Sequence, residues 1–348
     1  MNKYYDGTKL LSLRDINGEK PEIYICTSNR TAGKTTYFNR LVVNRFLNKN
    51  QKFCLLYRFK YELESIADKF FKDIKELFFE KYNMKQATKG NGNYIELFLT
   101  KGENIIPCGY AIALNCADQI KKFSHLFNDV DCILFDEFQS ETNHYCSSEI
   151  DKFISIHTSI ARGQGKQYRY VPVYMLSNPV TLLNPYYVAL NISNRIKKDT
   201  KFLRGNGFVL EQGFIKNAST EQLNSGFNKA FSKHEYVAYS AQNIYLHDQH
   251  AFIEKIKGNF RYLCTIKYKN TNYAIKEFGE IGIVYCDNRP DLKNPNRISV
   301  TINDHDINYV MLKQNQLFIN TLRYYFDNGC FRFKDLNCKE AILQLLSY

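Results

Sequence analysis

The segment 22–49 constrains the fold more than any other. EIYICTS is β-branched and aromatic, as a buried strand is, and it runs straight into NRTAGKTT. Phe38, Leu41, Val42, Arg45 and Phe46 then recur at helical spacing through TTYFNRLVVNRFLNK. A strand that turns into a helix through a glycine-containing loop aims backbone N–H groups and a helix N-terminus at one point, where a phosphate binds. The same alternation continues downstream. KFCLLYR at 52–58 reads as a buried strand, and 61–83 reads as a long amphipathic helix. YIELFLT, YAIALN, DCILFDEF at 131–138 and YVPVYMLSN at 170–178 read as further strands. Residues 147–163 read as a helix, with Ser147 or Ser148 at its N-cap and Gly163 at its stop. Strands alternating with helices predict an α/β domain with a mostly parallel sheet covered on both faces.

The pattern changes after about residue 205. FRYLCTIKY, TNYAIKEF and EIGIVYCDN are three strands joined by short polar turns at Lys269-Asn270 and Gly279-Glu280, an antiparallel meander. ISVTIND follows, then a helix over NYVMLKQNQLFINTLRYYFDNG, the short strand CFRF and a last helix, CKEAILQLLSY. That element order is the one expected of an α+β, ribonuclease-H-like domain. The chain has 348 residues, more than the ~250–300 at which one core usually stops growing. The expected division is an α/β domain at 1–216, a small linker domain at 217–249 and the α+β domain at 250–348.

Composition narrows the classes of function. No run of about 18 apolar residues occurs, so no spanning helix and no membrane partner are expected. The opening MNKYYDGTKL lacks the apolar stretch of a secretory signal. The 10 cysteines form no CxxC pair, which predicts free thiols in a reducing cytoplasm. Trp is absent while Tyr and Phe number 26 each, so any base stacking falls to Tyr and Phe. The net charge is +12, and residues 195–233 alone carry 8 Lys/Arg against 3 Asp/Glu. A basic excess points to a polyanion, and this strip reads either as a phosphate-contacting surface or as a solvated linker.

Two motifs carry chemistry. Ser28-Asn29-Arg30-Thr31-Ala32-Gly33-Lys34-Thr35 follows the phosphate-loop pattern G-x-x-x-x-G-K-[ST], with Ser28 where the first glycine is expected, and Thr36 continues it. In this reading Lys34 reaches the β- and γ-phosphates of ATP and Thr35 ligates Mg²⁺. About 100 residues on, Cys132-Ile133-Leu134-Phe135 ends in Asp136 and Glu137, a Walker B strand. Asp136 then serves the metal and Glu137 polarises the attacking water. Arg162, closing the next helix, is placed to offer a cation to a neighbouring subunit's γ-phosphate, and Asn178, ending the next strand, to hold water or sense that phosphate. Fainter signals are His247-Asp248-Gln249-His250 as metal ligands, and Asp287, Asp304 and Asp306 as nuclease carboxylates at strand ends.

Arg30 within the phosphate loop, FDEF at 135–138, LSN at 176–178 with NPYY at 184–187, NRFL after the loop and YRFKYEL at 57–63 are together similar to the genome-packaging (DNA encapsidation) ATPases of the small podoviruses that prime replication with a terminal protein. The likeness covers about residues 23–200, and later residues by element order. It implies a P-loop ATPase of the ASCE superfamily that pushes double-stranded DNA into a prohead. It further implies a homo-oligomeric ring, a pentamer in the family, on the portal, with a packaging RNA as a further partner. The place of work would be the host cytoplasm and, transiently, the prohead, not the mature virion. The C-terminal domain is expected to bind nucleic acid without cutting it. Arg58, Lys60, Lys121 and Lys122 are candidates to grip the DNA backbone without regard to sequence. The alternatives are a nuclease-active large terminase and a non-motor nucleic-acid-binding P-loop protein.

Overall fold

The computed structural model describes residues 4–142, 144–163, 165, 167–182, 184–193, 195–196, 200–242, 252–311 and 316–346. The chain opens with α1 (Thr8–Ser12), β1 (Ile23–Ser28), α2 (Lys34–Lys49), β2 (Lys52–Tyr57) and α3 (Ile66–Phe78). Then come β3 (Asn83–Lys89), β4 (Tyr94–Lys101), β5 (Asn104–Ala113), α4 (Ala117–Lys122), β6 (Val130–Phe135) and α5 (Glu149–Ile160). They are followed by β7 (Val173–Ser177), α6 (Pro185–Ala189), β8 (Phe202–Gly205), β9 (Phe208–Gly213), α7 (Lys216–Asn224), α8 (Gly226–Ala230) and α9 (Glu235–Gln242).

These strands form one 9-stranded sheet in the order β3-β4-β5-β2-β6-β7-β1-β9-β8. From β5 to β9 every neighbouring pair is parallel. The central strands are buried almost end to end, as strands covered on both faces must be, which is why IYICTS and VYMLS show no polar alternation. β2, β6, β7 and β1 are consecutive neighbours, so the residues after their carboxyl ends share one edge of the sheet. Those residues are Arg58, Asp136, Asn178 and Asn29, and ligands of open α/β sheets bind at that edge.

Two local expectations change. The helix expected over 61–83 is a short 3₁₀ turn, Lys60–Leu63, then α3, then β3. Ser65 has a left-handed backbone (φ 54°) that separates the turn from α3, and residues 83–89 pair antiparallel with β4. The hairpin β8–β9 was not expected at all; β9 lies parallel against β1, and β8 forms that edge of the sheet. Contacts divide the chain into Met1–His247 and Asp248–Tyr348. The helices α7, α8 and α9 therefore belong with the α/β unit, whereas 217–249 was expected to stand apart. His247-Asp248-Gln249-His250 lies outside the described residues.

The second unit contains β10 (Arg261–Tyr268), β11 (Thr271–Phe278), β12 (Ile283–Asp287), β13 (Arg297–Ser299), β14 (Val310–Met311), α10 (Gln316–Asp327), β15 (Phe331–Phe333) and α11 (Leu336–Leu346). Its 6-stranded sheet has the order β14-β13-β10-β11-β12-β15. The antiparallel meander β10-β11-β12 is as expected, and β13 adds parallel to β10. The strand CFRF pairs on the far edge, parallel to β12. The helix expected from 308 starts at 316, because Val310–Met311 pairs with β13. Cys264, Ile266, Val284, Cys286, Leu322 and Ile342 lie in its buried core. All ten cysteines are free thiols. Among the described residues no helix is long and apolar enough to cross a membrane.

Candidate active site

The phosphate loop grows from the end of β1. Ser28 is still in the strand, fully buried and in register with Gly213 of β9. The backbone there is extended, so the position does not need a glycine. The left-handed steps fall instead on Thr31 (φ 58°) and Gly33 (φ 89°). The loop is tied on both flanks. The Asn29 carboxamide accepts from the Ile215 N–H (3.0 Å) and donates to the Ile215 carbonyl (3.2 Å). The Arg30 N–H donates to the Ser240 carbonyl (3.0 Å), and Gln222 Nε2 donates to Thr31 Oγ1 (3.0 Å). The Tyr5 N–H donates to the carbonyl of buried Ala32 (2.8 Å). The N-terminal residues and α7–α9 thus shape the loop.

Lys34 begins α2 and is buried, and its Nζ donates to Asn178 Oδ1 at 2.7 Å. Thr35 Oγ1 donates to Asp136 Oδ2 at 2.8 Å, and Asp136 Oδ1 accepts the Glu137 N–H at 2.9 Å. Glu137 itself has a left-handed backbone, φ 55°, an unusual conformation for a residue other than glycine. Burial lowers the Lys34 pKa, against the opposing pull of Asp136 and Glu137. Burial raises the Asp136 pKa, opposed by Lys34 and Thr35. The Glu137 carboxyl is raised by burial and then by the negative charges of Asp136 and Glu141, which makes it a stronger base than a solvated glutamate. Thr36 and Thr35 line a recess of about 690 Å³ on one side of the loop. Asp136 and Glu137 line a second cavity of about 350 Å³, again with Thr35.

The predicted set Lys34, Thr35, Asp136, Glu137 and Asn178 therefore converges. Arg162 does not join it. It is exposed just beyond α5, before Gly163 (φ 113°), and lines a separate recess of about 660 Å³ with Lys121. A Cβ on Gly163 would meet the Asn128 Cβ at 2.8 Å, so this turn requires glycine. Gln164 lies outside the described residues.

Arg58 corrects the proposed set of DNA contacts. It is buried, its Nε donates to both Glu149 carboxylate oxygens (3.1 and 3.0 Å), and its Nη2 donates to the Phe138 carbonyl (2.6 Å). It is an internal brace between β2, the Walker B turn and α5, and is not available to DNA. Lys60, Lys121 and Lys122 are on the surface. Lys121 Nζ lies 3.4 Å from Asp118 Oδ1, and Lys60 Nζ donates to the Asn91 carbonyl at 3.5 Å.

Glu141 was missed. It pairs with the Arg30 guanidinium and accepts from Tyr239 Oη (2.7 Å) and Tyr236 Oη (3.1 Å) of α9. No pattern around FQSET marks it; only the packing of α9 on the loop does so. In the second unit Asp287 Oδ2 accepts from Lys276 Nζ at 2.7 Å, both residues being buried. Asp306 accepts from Lys267 (2.9 Å), and buried Asp304 accepts from the Asn270 N–H (2.9 Å) and Thr301 Oγ1 (2.6 Å). The three acids are thus held by separate partners of their own chain.

A buried lysine at a helix N-terminus, a threonine hydroxyl bonded to an aspartate, and a glutamate of raised pKa beside them lie together at one edge of the sheet. The chain is 24% identical over 334 residues to the DNA packaging protein of Bacillus phage PZA, covering 95% of this chain and 93% of that protein. It is 26% identical over 310 residues to the DNA packaging protein of Bacillus phage B103, covering 87% and 90%. The fold is that of a chain in the bacteriophage Phi-29 viral genome packaging motor assembly, with a TM-score of 0.67 at 21% identity over 100% of this chain and 98% of that one. The family described as podovirus DNA encapsidation protein (Gp16) matches residues 1–347, and the chain belongs to that family.

Proposed function

We propose that ATP hydrolysis at this site drives the packaging of viral double-stranded DNA. The family makes the chain a DNA encapsidation protein. The observation that carries the enzymatic reading is the joining of the two motifs by Thr35 to Asp136, with Lys34 held by Asn178 from the next strand. Lys34 binds the β- and γ-phosphates, and the loop N–H groups cradle them. Glu137 takes the proton of the attacking water. Asn178, released by Lys34 when phosphate arrives, reports the γ-phosphate.

The Thr35 hydroxyl and the Asp136 carboxylate are hard oxygen donors 2.8 Å apart at the loop, a pair that fits Mg²⁺. When bound, the ion neutralises phosphate charge. Arg162, exposed on its own recess away from this chain's loop, suits a role in trans on a neighbouring subunit's nucleotide in a homo-oligomeric ring, a pentamer. The ring would sit on the portal of the prohead in the host cytoplasm, with a packaging RNA as a further contact, and leave before the virion matures. Lys60, Lys121 and Lys122 are the remaining candidates for DNA phosphates.

The test is ATP turnover with and without duplex DNA. Turnover stimulated by DNA of any sequence and abolished by Lys34→Ala supports the motor. DNA binding without turnover would make the loop structural.

A further inference from the structure

Large apolar side chains lie exposed beside the phosphate loop. Tyr4 is 60%, Leu77 63% and Phe78 42% exposed. With Tyr37 and Arg40 they line the recess of about 690 Å³ that continues into the loop at Thr31–Thr36. The wall is well anchored: Tyr4 packs against Gly33, 3.6 Å from where a Cβ would stand. The Arg40 guanidinium carbon lies over the Phe78 ring, 4.2 Å from its centroid. Arg40 is on α2, six residues and roughly 9 Å of helical rise beyond Lys34, so this platform stands beside the phosphate cradle and not within it. An exposed apolar cluster that opens onto a phosphate site is covered when the organic part of the ligand arrives.

We propose that the Arg40–Phe78 pair is the nucleobase platform of this site, and that it holds bases by stacking without reading their edges. The proposal rests on the nucleotide-hydrolysis reading above. Reading an edge takes donors and acceptors in a fixed pattern. Among the described residues, the side chains lining the recess include no carboxylate and no carboxamide; its Tyr and Thr hydroxyls can each donate or accept and so fix no pattern. Arg40 only donates, and every nucleobase offers acceptors to it. The loop carbonyls of Ala32 and Gly33 already accept from the Tyr5 and Tyr37 N–H groups (2.8 and 2.9 Å). Aromatic stacking tolerates any base because every base has a π-face. A pocket without a fixed pattern of edge contacts discriminates by about 10²-fold or less, whereas one built to hydrogen-bond a particular substrate group rejects analogues by ~10⁴–10⁵. The purines, with the larger face, bind best.

The experiment measures kcat/KM of the full chain, with duplex DNA, for ATP, GTP, CTP and UTP. GTP is expected within about tenfold of ATP, and the pyrimidine nucleotides within about 10²-fold. Phe78→Ala should raise KM for every nucleotide by roughly tenfold and leave kcat. Inhibition by inorganic triphosphate, which has no base, should be unchanged, and Phe78→Tyr should restore KM. GTP poorer than ATP by about 10³-fold or more overturns base tolerance. Phe78→Ala weakening inorganic triphosphate as much as ATP overturns the platform. If wild-type protein turns over none of the four, the hydrolysis reading fails first and the platform falls with it.

Discussion

Lys34 Nζ is held by Asn178 Oδ1 at 2.7 Å, while the Walker B carboxylate of Asp136 is engaged by Thr35. The phosphate-loop lysine is thus gripped from β7, the strand between β1 and β6. Asn178→Ala leaves a buried ammonium group one bond short, which costs about 1.5–3 kcal/mol. The ligand-free protein should melt several degrees lower, and a non-hydrolysable ATP analogue should recover most of the loss because phosphate replaces the amide. In Lys34→Ala the analogue should not raise the melting temperature. Equal stabilisation of both variants would show that Asn178 does not hold the lysine for phosphate.

Glu137 must be ionised to take a proton. Its pKa is raised by burial and by the charges of Asp136 and Glu141, so turnover should fall as pH drops through that raised value. Glu141→Gln removes one negative neighbour and loosens Arg30, and both changes favour the Glu137 carboxylate. The acid limb of kcat should therefore move to lower pH, readable in a pH–rate profile. A limb that stays or moves upward would dissociate Glu141 from the base. Glu137→Gln should keep ATP binding and lose about 10²-fold or more in kcat.

The Arg58–Glu149 pair is almost without solvent, at 7% and 1% side-chain exposure. Removing either partner strands a charge, at a cost of about 3–5 kcal/mol. Urea unfolding should show that loss for Glu149→Ala as well as for Arg58→Ala. Because Arg58 does not reach DNA, Arg58→Ala in its folded fraction should leave the salt slope of DNA binding unchanged. Lys60→Ala or Lys122→Ala should reduce that slope by about 1 if each meets one phosphate.

Arg162→Ala and Glu137→Gln proteins should each be nearly inactive alone. Mixed, some interfaces would pair an intact Glu137 with an intact Arg162 of the next subunit, and ATPase activity should partly return. An arginine supplied in this way is worth roughly 10³–10⁵ in turnover. Mixed rings without recovery, together with full activity in dilute monomer, would place Arg162 in cis or outside the reaction.

Lys276 and Asp287 neutralise each other in the core of the second unit. Duplex DNA incubated with Mg²⁺ or Mn²⁺ should stay intact on a gel, and Asp287→Ala should change stability by about 3–5 kcal/mol without changing that result. Cleavage that this substitution abolishes would establish a nuclease.

Where chemistry depends on neighbours in sequence, the residues alone were enough. Gly33-Lys34-Thr35 was placed after a buried strand and Asp136-Glu137 at the end of another, and the structure has both there because strand, turn and helix are local structures. The meander at 261–287 was readable for the same reason: its connections are two and four residues long. The absence of any CxxC pair predicted free thiols, and all ten cysteines are free.

Tertiary structure alone decided the rest, because pairing between distant segments leaves no periodic trace in either one. Helical spacing through 61–83 was overridden at both ends, by the left-handed Ser65 before α3 and beyond Phe78, where the chain leads into residues 83–89 paired with β4. A basic Arg58 reads as a surface residue until Glu149, 91 positions away, is seen to bury it. Glu141 gained its place only when α9 folded back over Arg30. The expected linker helices packed into the first unit, where the Ser240 carbonyl accepts the loop N–H of Arg30 that β1 and α2 leave unpaired and Gln222 donates to Thr31.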